Sequence, residues 1–168
     1  MDVGGRECQE HILENRTQCH GWCSCTNKHN TFVLCFLKQG VNTVQKDLPS
    51  PRITHLSWGK MTVEGIGSGK DFKLWPGGGR PWDWNASNTH HYPGIQPADI
   101  EELLEHGTEE IVLSRGMLLA LHVCFETTEL LNAEGIKIHI AETKEAGEIY
   151  NRLIENGKII GGLFHSTC

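Results

Sequence analysis

The residues able to do chemistry fall in four places. The ending "HSTC" sets His165 three residues before Cys168. An imidazole can turn a thiol into a nucleophile when it reaches the sulfur and a third group orients the ring. The sequence offers no evident third member, so a packed C-terminal strand is the expectation, and no catalytic residue is assigned. A second place is "SRGM", residues 114–117, at the carboxyl end of an apolar strand, where ligands collect in open α/β sheets. Arg115 offers a planar fork of donors suited to a carboxylate or phosphate, and Gly116 allows close approach of backbone. The plain structural reading of Arg115 is a pairing with an acid of the fold, Asp83 among the candidates.

The glycine runs are the third. "GIGSGKD" resembles part of a phosphate loop, but the positions that need Gly and Ser/Thr hold Glu64 and Asp71. A hairpin turn between two strands accounts for it better. In "LWPGGGRPWDW", Gly77, Gly78 and Gly79 precede Arg80 and Pro81, with no helix near enough to aim amides at an anion. Trp75, Trp82 and Trp84 are expected to lay their rings over a sheet, with a partner-binding surface as the second reading. The fourth place is "CHGWCSCTNKH", where Cys19, Cys23, Cys25 and His29 form half of a zinc framework without its second pair. No metal ligand set is assigned, and no cofactor is expected.

The elements that must position these groups begin after "KDLPSP", whose prolines mark a boundary. Residues 1–50 hold five of the seven cysteines and show no sustained periodicity. They read as a Cys/His-rich extension expected to be disordered, and residues 51–168 as the domain. "ITHLSW", "KMTVEG" and "KDFKLW" read as strands. A polar loop through "NASNTHHYPG" leads into helix and strand in alternation. "QPADIEELLEHG" is a helix with Pro97 in its first turn, acids where the dipole favours them, and Gly107 as its stop. "EEIVLSRG" is an apolar strand, "ETTELLNAEG" a short helix and "IKIHIA" an alternating strand. "TKEAGEIYNRLIENG" is a stronger helix with one apolar face, and "KIIGGLFHSTC" a last strand and tail. This order implies an α/β fold with a mixed, mostly parallel sheet and flanking helices.

Charge narrows the function classes. The net charge is −6, and it lies in residues 51–168, where ten Lys/Arg face sixteen Asp/Glu. An acidic domain lacks the term that dominates nucleic-acid affinity and is repelled by anionic membranes, so neither partner is expected. The run "TFVLCFL" is too short to span a bilayer and lacks a basic leader. An odd cysteine count with no signal segment points to free thiols in a reducing compartment.

From about Ser50 onward the chain resembles the family of adipogenesis-associated Mth-type domain-containing proteins. The residues that carry this are "LSWG", "KDFKLWPGG", "WDW", "PGIQPAD", "SRGM", "GI" before the next strand, "YN" in the last helix and "HSTC", in order over seven tenths of the chain. The chain departs from the family at Ser114, where Gly is usual. The resemblance implies an Mth-type domain: a single-layer mixed sheet with flanking helices and an additional small β element. It also implies a cytoplasmic protein linked to preadipocyte differentiation, with no established reaction.

The expected function is therefore a non-enzymatic cytoplasmic regulator that promotes adipogenesis by binding protein partners. The alternative is a small-molecule or anion-binding enzyme with a crevice near Arg115. The candidate ligand or partner surface comprises Arg115, Gly116, Trp82, Asp83 and His165.

Overall fold

Alternation along neighbouring strands decides which side of the central sheet each residue serves. The computed structural model describes residues 48–168; the Cys19, Cys23, Cys25 and His29 cluster, and residues 1–47 of the expected extension, lie outside them. Eight strands and three helices follow in the order β1 (Ile53–Ser57), β2 (Lys60–Val63), β3 (Gly67–Gly69), β4 (Asp71–Trp75), β5 (Gly78–Pro81), α1 (Pro97–Glu105), β6 (Glu110–Ser114), α2 (Phe125–Ala133), β7 (Lys137–Ala141), α3 (Thr143–Glu155) and β8 (Ile160–His165). β1, β2 and β3 form a small antiparallel sheet. The other five form a sheet in the order β5-β4-β8-β6-β7.

Phe72 and Leu74 of β4, Val112 of β6, and Ile160 and Phe164 of β8 point to one face, into a core closed by Tyr150 and Ala146 of α3 and by Met61 and Val63 of the small sheet. Trp75, Ile111, Leu113 and Leu163 point to the other, against Ile100 and Leu103 of α1 and Leu131 of α2. Successive side chains alternate across a strand. Asp71 and Lys73 therefore share the α1/α2 side with Trp75, and His165 shares it with Leu163. β8 is buried along its whole length and is the strand where the antiparallel and parallel halves meet.

The expected elements appear where periodicity and stop signals place them, and the mixed α/β character holds. The expectation of a mostly parallel sheet does not. β4 pairs antiparallel with both β5 and β8, and the two parallel pairings are those of β6 with β7 and with β8. The reason is local: β4 and β5 form a tight hairpin, which can join only antiparallel strands. That hairpin is the fate of the glycine-rich run. Gly77 takes the turn at φ +82°, and Gly78 and Gly79 enter the edge strand β5. A side chain at Gly79 would come within 2.8 Å of the Lys73 carbonyl oxygen. The "GSG" segment read as a turn is the short strand β3, paired with β2. Leu48–Ser50 are tied to the domain: the Pro49 carbonyl accepts from Gly77 N at 3.2 Å, and Ser50 Oγ donates to the Ile160 carbonyl at 2.5 Å. Among the described residues no helix is long and apolar enough to cross a membrane.

Candidate functional site

Asp71 and His165 stand directly opposite each other where antiparallel β4 meets β8. Directly opposed side chains in such a pair share one face and lie close together. Here that brings His165 Nδ1 to 3.1 Å from Asp71 Oδ1, with both residues buried. A carboxylate only accepts, so Nδ1 is the donor in this pair and Nε2 faces outward. The backbone of His165 is fixed as well. Its N–H donates to Ser114 Oγ at 2.7 Å, and its carbonyl accepts from Thr143 Oγ1 at 2.7 Å. Ser114, where the resembled family has Gly, thus extends the β6–β8 contact by one side chain and holds the imidazole's strand in place.

Two further groups meet His165 from outside the sheet. Cys168 Sγ lies 3.8 Å from His165 Nε2 and 3.1 Å from Nε2 of His91. Thr167 Oγ1 lies 3.1 Å from His165 Nε2. The rings of Trp84 and His165 are 4.5 Å apart between centroids, and His91 meets Trp84 edge-on at 5.3 Å. Together with Lys70 and Trp82, these residues line an open cavity of about 330 Å³. The third member that the His165–Cys168 spacing lacked in the sequence is Asp71, ninety-four positions before His165. Thiol, imidazole and carboxylate form a connected set, with a second imidazole on the thiol. Such a set can hold a thiol for nucleophilic attack, bind a metal, or seat a small polar ligand against aromatic rings.

The other sequence-predicted residues take different places. Arg115 does not pair with Asp83. Its Nε donates to the Leu121 carbonyl at 2.9 Å and its Nη2 to the Leu119 carbonyl at 3.0 Å, so the guanidinium ties down its own loop. Asp83 accepts from the backbone and side chain of Asn85 at 2.9 and 3.1 Å. The Arg115 fork is turned onto carbonyl groups, and the crevice described above is lined by His165 and Trp82 and not by Arg115. Gly116 does serve this crevice, from behind. It sits at φ +83°, and a side chain there would come 1.7 Å from the Cys168 carbonyl oxygen. Met117 N donates to the Thr167 carbonyl at 2.5 Å, so the 116–117 backbone forms the bed of the Cys168 segment.

Trp82 is both wall and core. It is buried in the α1/α2 cluster, and its indole N–H donates to Asp99 Oδ1 at 2.7 Å. Asp99, fully buried at the start of α1, also accepts from Gln96 N at 2.9 Å, from Ser87 Oγ and from Thr89 Oγ1. The Lys73 ammonium donates to the Asp99 carbonyl at 2.7 Å and stands 3.8 Å from its carboxylate. Desolvation holds the Lys73 pKa below its ordinary value, opposed by Asp99. His91, Asp71, Lys70 and Asp99 were not among the predicted site residues. Asp71 could have been found from the β4–β8 register, had the strand pairing been in hand. His91 lies in a polar loop with no periodicity to mark it.

The sequence family described as "Protein of unknown function (DUF498/DUF598)" matches residues 53–165. Solved structures share the fold. MT938 is 23% identical, with a TM-score of 0.58 over 70% of this chain and 99% of its own. The conserved hypothetical protein PH1505 from Pyrococcus horikoshii OT3 is 21% identical, with a TM-score of 0.59 over 70% of this chain and 99% of its own. An outer membrane protein from Bartonella henselae is 18% identical, with a TM-score of 0.58 over 73% and 98%. At these identities the likeness is one of fold.

Proposed function

The chain belongs to the DUF498/DUF598 family and has the α/β fold of MT938, and from that premise we propose that it is a cytoplasmic regulator of the adipogenesis-associated Mth-type kind, promoting preadipocyte differentiation by binding protein partners. The observation that carries the reading is a set of exposed apolar side chains on two joined loops and the first residue of α2 that follows them. Tyr92, Leu118 and Phe125 are 79%, 69% and 70% exposed, and Leu119 is exposed beside them in sequence. The loops that bear them are bonded to each other: His122 N donates to the His91 carbonyl at 2.9 Å, and Ile95 N to the His122 carbonyl at 2.9 Å. The rings of Tyr92 and His122 meet edge-on at 5.8 Å. Large apolar groups held outward on bonded loops suit a protein partner.

The test is differentiation itself. Expression of the full chain in a preadipocyte line should raise lipid accumulation after induction. The double variant Leu118→Asp, Phe125→Asp should lose that effect while keeping the wild-type melting temperature. No change in lipid accumulation on either depletion or expression of the chain would overturn the reading.

A second reading, a small-molecule enzyme, is favoured by one observation: the Asp71–His165 pair beside the Cys168 thiol. It places the chemistry at Cys168 and not at Arg115. Selective, pH-dependent alkylation of Cys168 at a rate well above that of free cysteine would support it.

A further inference from the structure

His91, His165 and Cys168 reach one another from the loop before α1, the end of β8 and the segment after it, and their ligand atoms all lie within 4.8 Å. The thiol sulfur is 3.1 Å from one imidazole nitrogen and 3.8 Å from the other. A tetrahedral zinc ion, with Zn–S about 2.3 Å and Zn–N about 2.0–2.1 Å, sets its sulfur and nitrogen ligands about 3.6 Å apart. The two observed sulfur–nitrogen separations bracket that value, and the two imidazole nitrogens, within 4.8 Å of each other, draw together to about 3.3 Å on a tetrahedral ion.

A second observation is independent of these distances. Metal-binding histidines are held by a hydrogen bond from the other ring nitrogen to a carboxylate or carbonyl. His165 has that bond to buried Asp71 at 3.1 Å, and Asp71 Oδ1 is itself fixed by Ser166 N at 3.0 Å. The pairing at Nδ1 thereby leaves Nε2 of His165 as the ring nitrogen that faces the cavity, where a metal would bind.

We infer that the crevice is a zinc site, with Nε2 of His91, Nε2 of His165 and the thiolate of Cys168 as its three protein ligands. The fourth position falls to the cavity that all three line, between Trp82, Trp84 and Lys70. One thiolate and two imidazoles suit zinc and not magnesium or calcium, which take oxygen ligands. Three protein ligands with an open place is the pattern of a zinc ion that carries an exchangeable water or an incoming donor. The site stands apart from the partner reading, since none of its ligands is among the apolar side chains assigned to the partner.

Cobalt(II) is the probe, because a cobalt–thiolate bond announces itself by charge-transfer absorption. The full-length chain is used with Cys8, Cys19, Cys23, Cys25 and Cys35 each replaced by serine, which removes the competing thiols of residues 1–47. One equivalent of cobalt should give the thiolate band, and zinc should displace it stoichiometrically with release of the thiol proton. Cys168→Ser should abolish the band. His91→Asn, a change at an exposed residue that leaves the fold intact, should weaken cobalt binding by more than the roughly 10–100-fold that an outer-shell change costs. Absence of a thiolate band, or a band that survives Cys168→Ser or His91→Asn undiminished, would overturn the inference.

Discussion

The indole N–H of Trp82 donates to Oδ1 of Asp99 at 2.7 Å, joining the residue after the β4–β5 hairpin to the first turn of α1 inside the core. The ring therefore has two roles, apolar packing in the α1/α2 cluster and satisfaction of a buried carboxylate. Two substitutions separate them. Trp82→Ala removes both and should cost about 3–5 kcal/mol, the range for large aromatic truncations. Trp82→Phe keeps most of the packing and loses the donor, for a cost of about 1–3 kcal/mol. Urea denaturation followed by circular dichroism measures both, and an unchanged midpoint in Trp82→Ala would show that the ring is not core.

Asp99 holds more than Trp82. Gln96 N, Ser87 and Thr89 also donate to its carboxylate, and the Lys73 ammonium rests on its carbonyl within 3.8 Å of the charge. Asp99→Ala would leave these donors without their acceptor and the buried Lys73 ammonium, which keeps the residue-99 carbonyl, without its counter-charge. The expected loss is about 3–5 kcal/mol, as for removal of one partner from a buried ion pair. Thermal unfolding of the full chain should show it; a loss comparable to that of the exposed Glu101→Ala would mean that water replaces the carboxylate without penalty.

Asp99 also shows what the sequence makes legible. As an acid in a helical first turn, it reads as a surface residue favouring the dipole, and the helix itself is legible from Pro97, the apolar spacing and Gly107. Its burial is set by contacts from Lys73, Trp82, Ser87 and Thr89, ten to twenty-six positions away, and no local pattern encodes those. The same holds at the candidate site. The His165–Cys168 spacing is visible, and so is the strand beneath it. Asp71 and His91 are not, because they are brought in by β4–β8 register and by a loop path. Arg115 misleads in the opposite direction: its type and strand-end position suggest an anion, while the guanidinium closes the 116–121 turn.

Gly116 predicts a structural route into the crevice. Its φ of +83° is strained for any side chain, and a methyl group there would fall 1.7 Å from the Cys168 carbonyl oxygen. Gly116→Ala should therefore cost roughly 1–3 kcal/mol in backbone strain and push the Cys168 segment off its bed. The alkylation rate of Cys168, read by mass spectrometry of the C-terminal peptide, should change with it. A variant of native stability and native Cys168 reactivity would place the Cys168 segment elsewhere.

Glu110 supplies the pH dependence. Its side chain is 11% exposed at the start of β6; His139 Nε2 lies 2.9 Å away, and the ammonium groups of Lys137 and Lys158 lie at 3.4 and 3.5 Å. The hydrogen bond from His139, and after it the lysines, hold the Glu110 carboxyl below its ordinary value of 4.5, against the desolvation that would raise it. The folded protein thus releases this proton more readily than the unfolded chain does. Its stabilisation is complete above the unfolded-state value and is lost as pH falls through the lower, folded-state one. Glu110→Gln should cost about 1 kcal/mol at neutral pH, the size of a net hydrogen bond, because both lysines are exposed and add little. As the pH drops below the folded-state value the two proteins should converge in stability, since the native carboxyl is then protonated as well. Denaturation midpoints across the acid range measure this, and a constant gap between the two proteins down to the acid limit would show that the effect of the substitution is steric and not ionic.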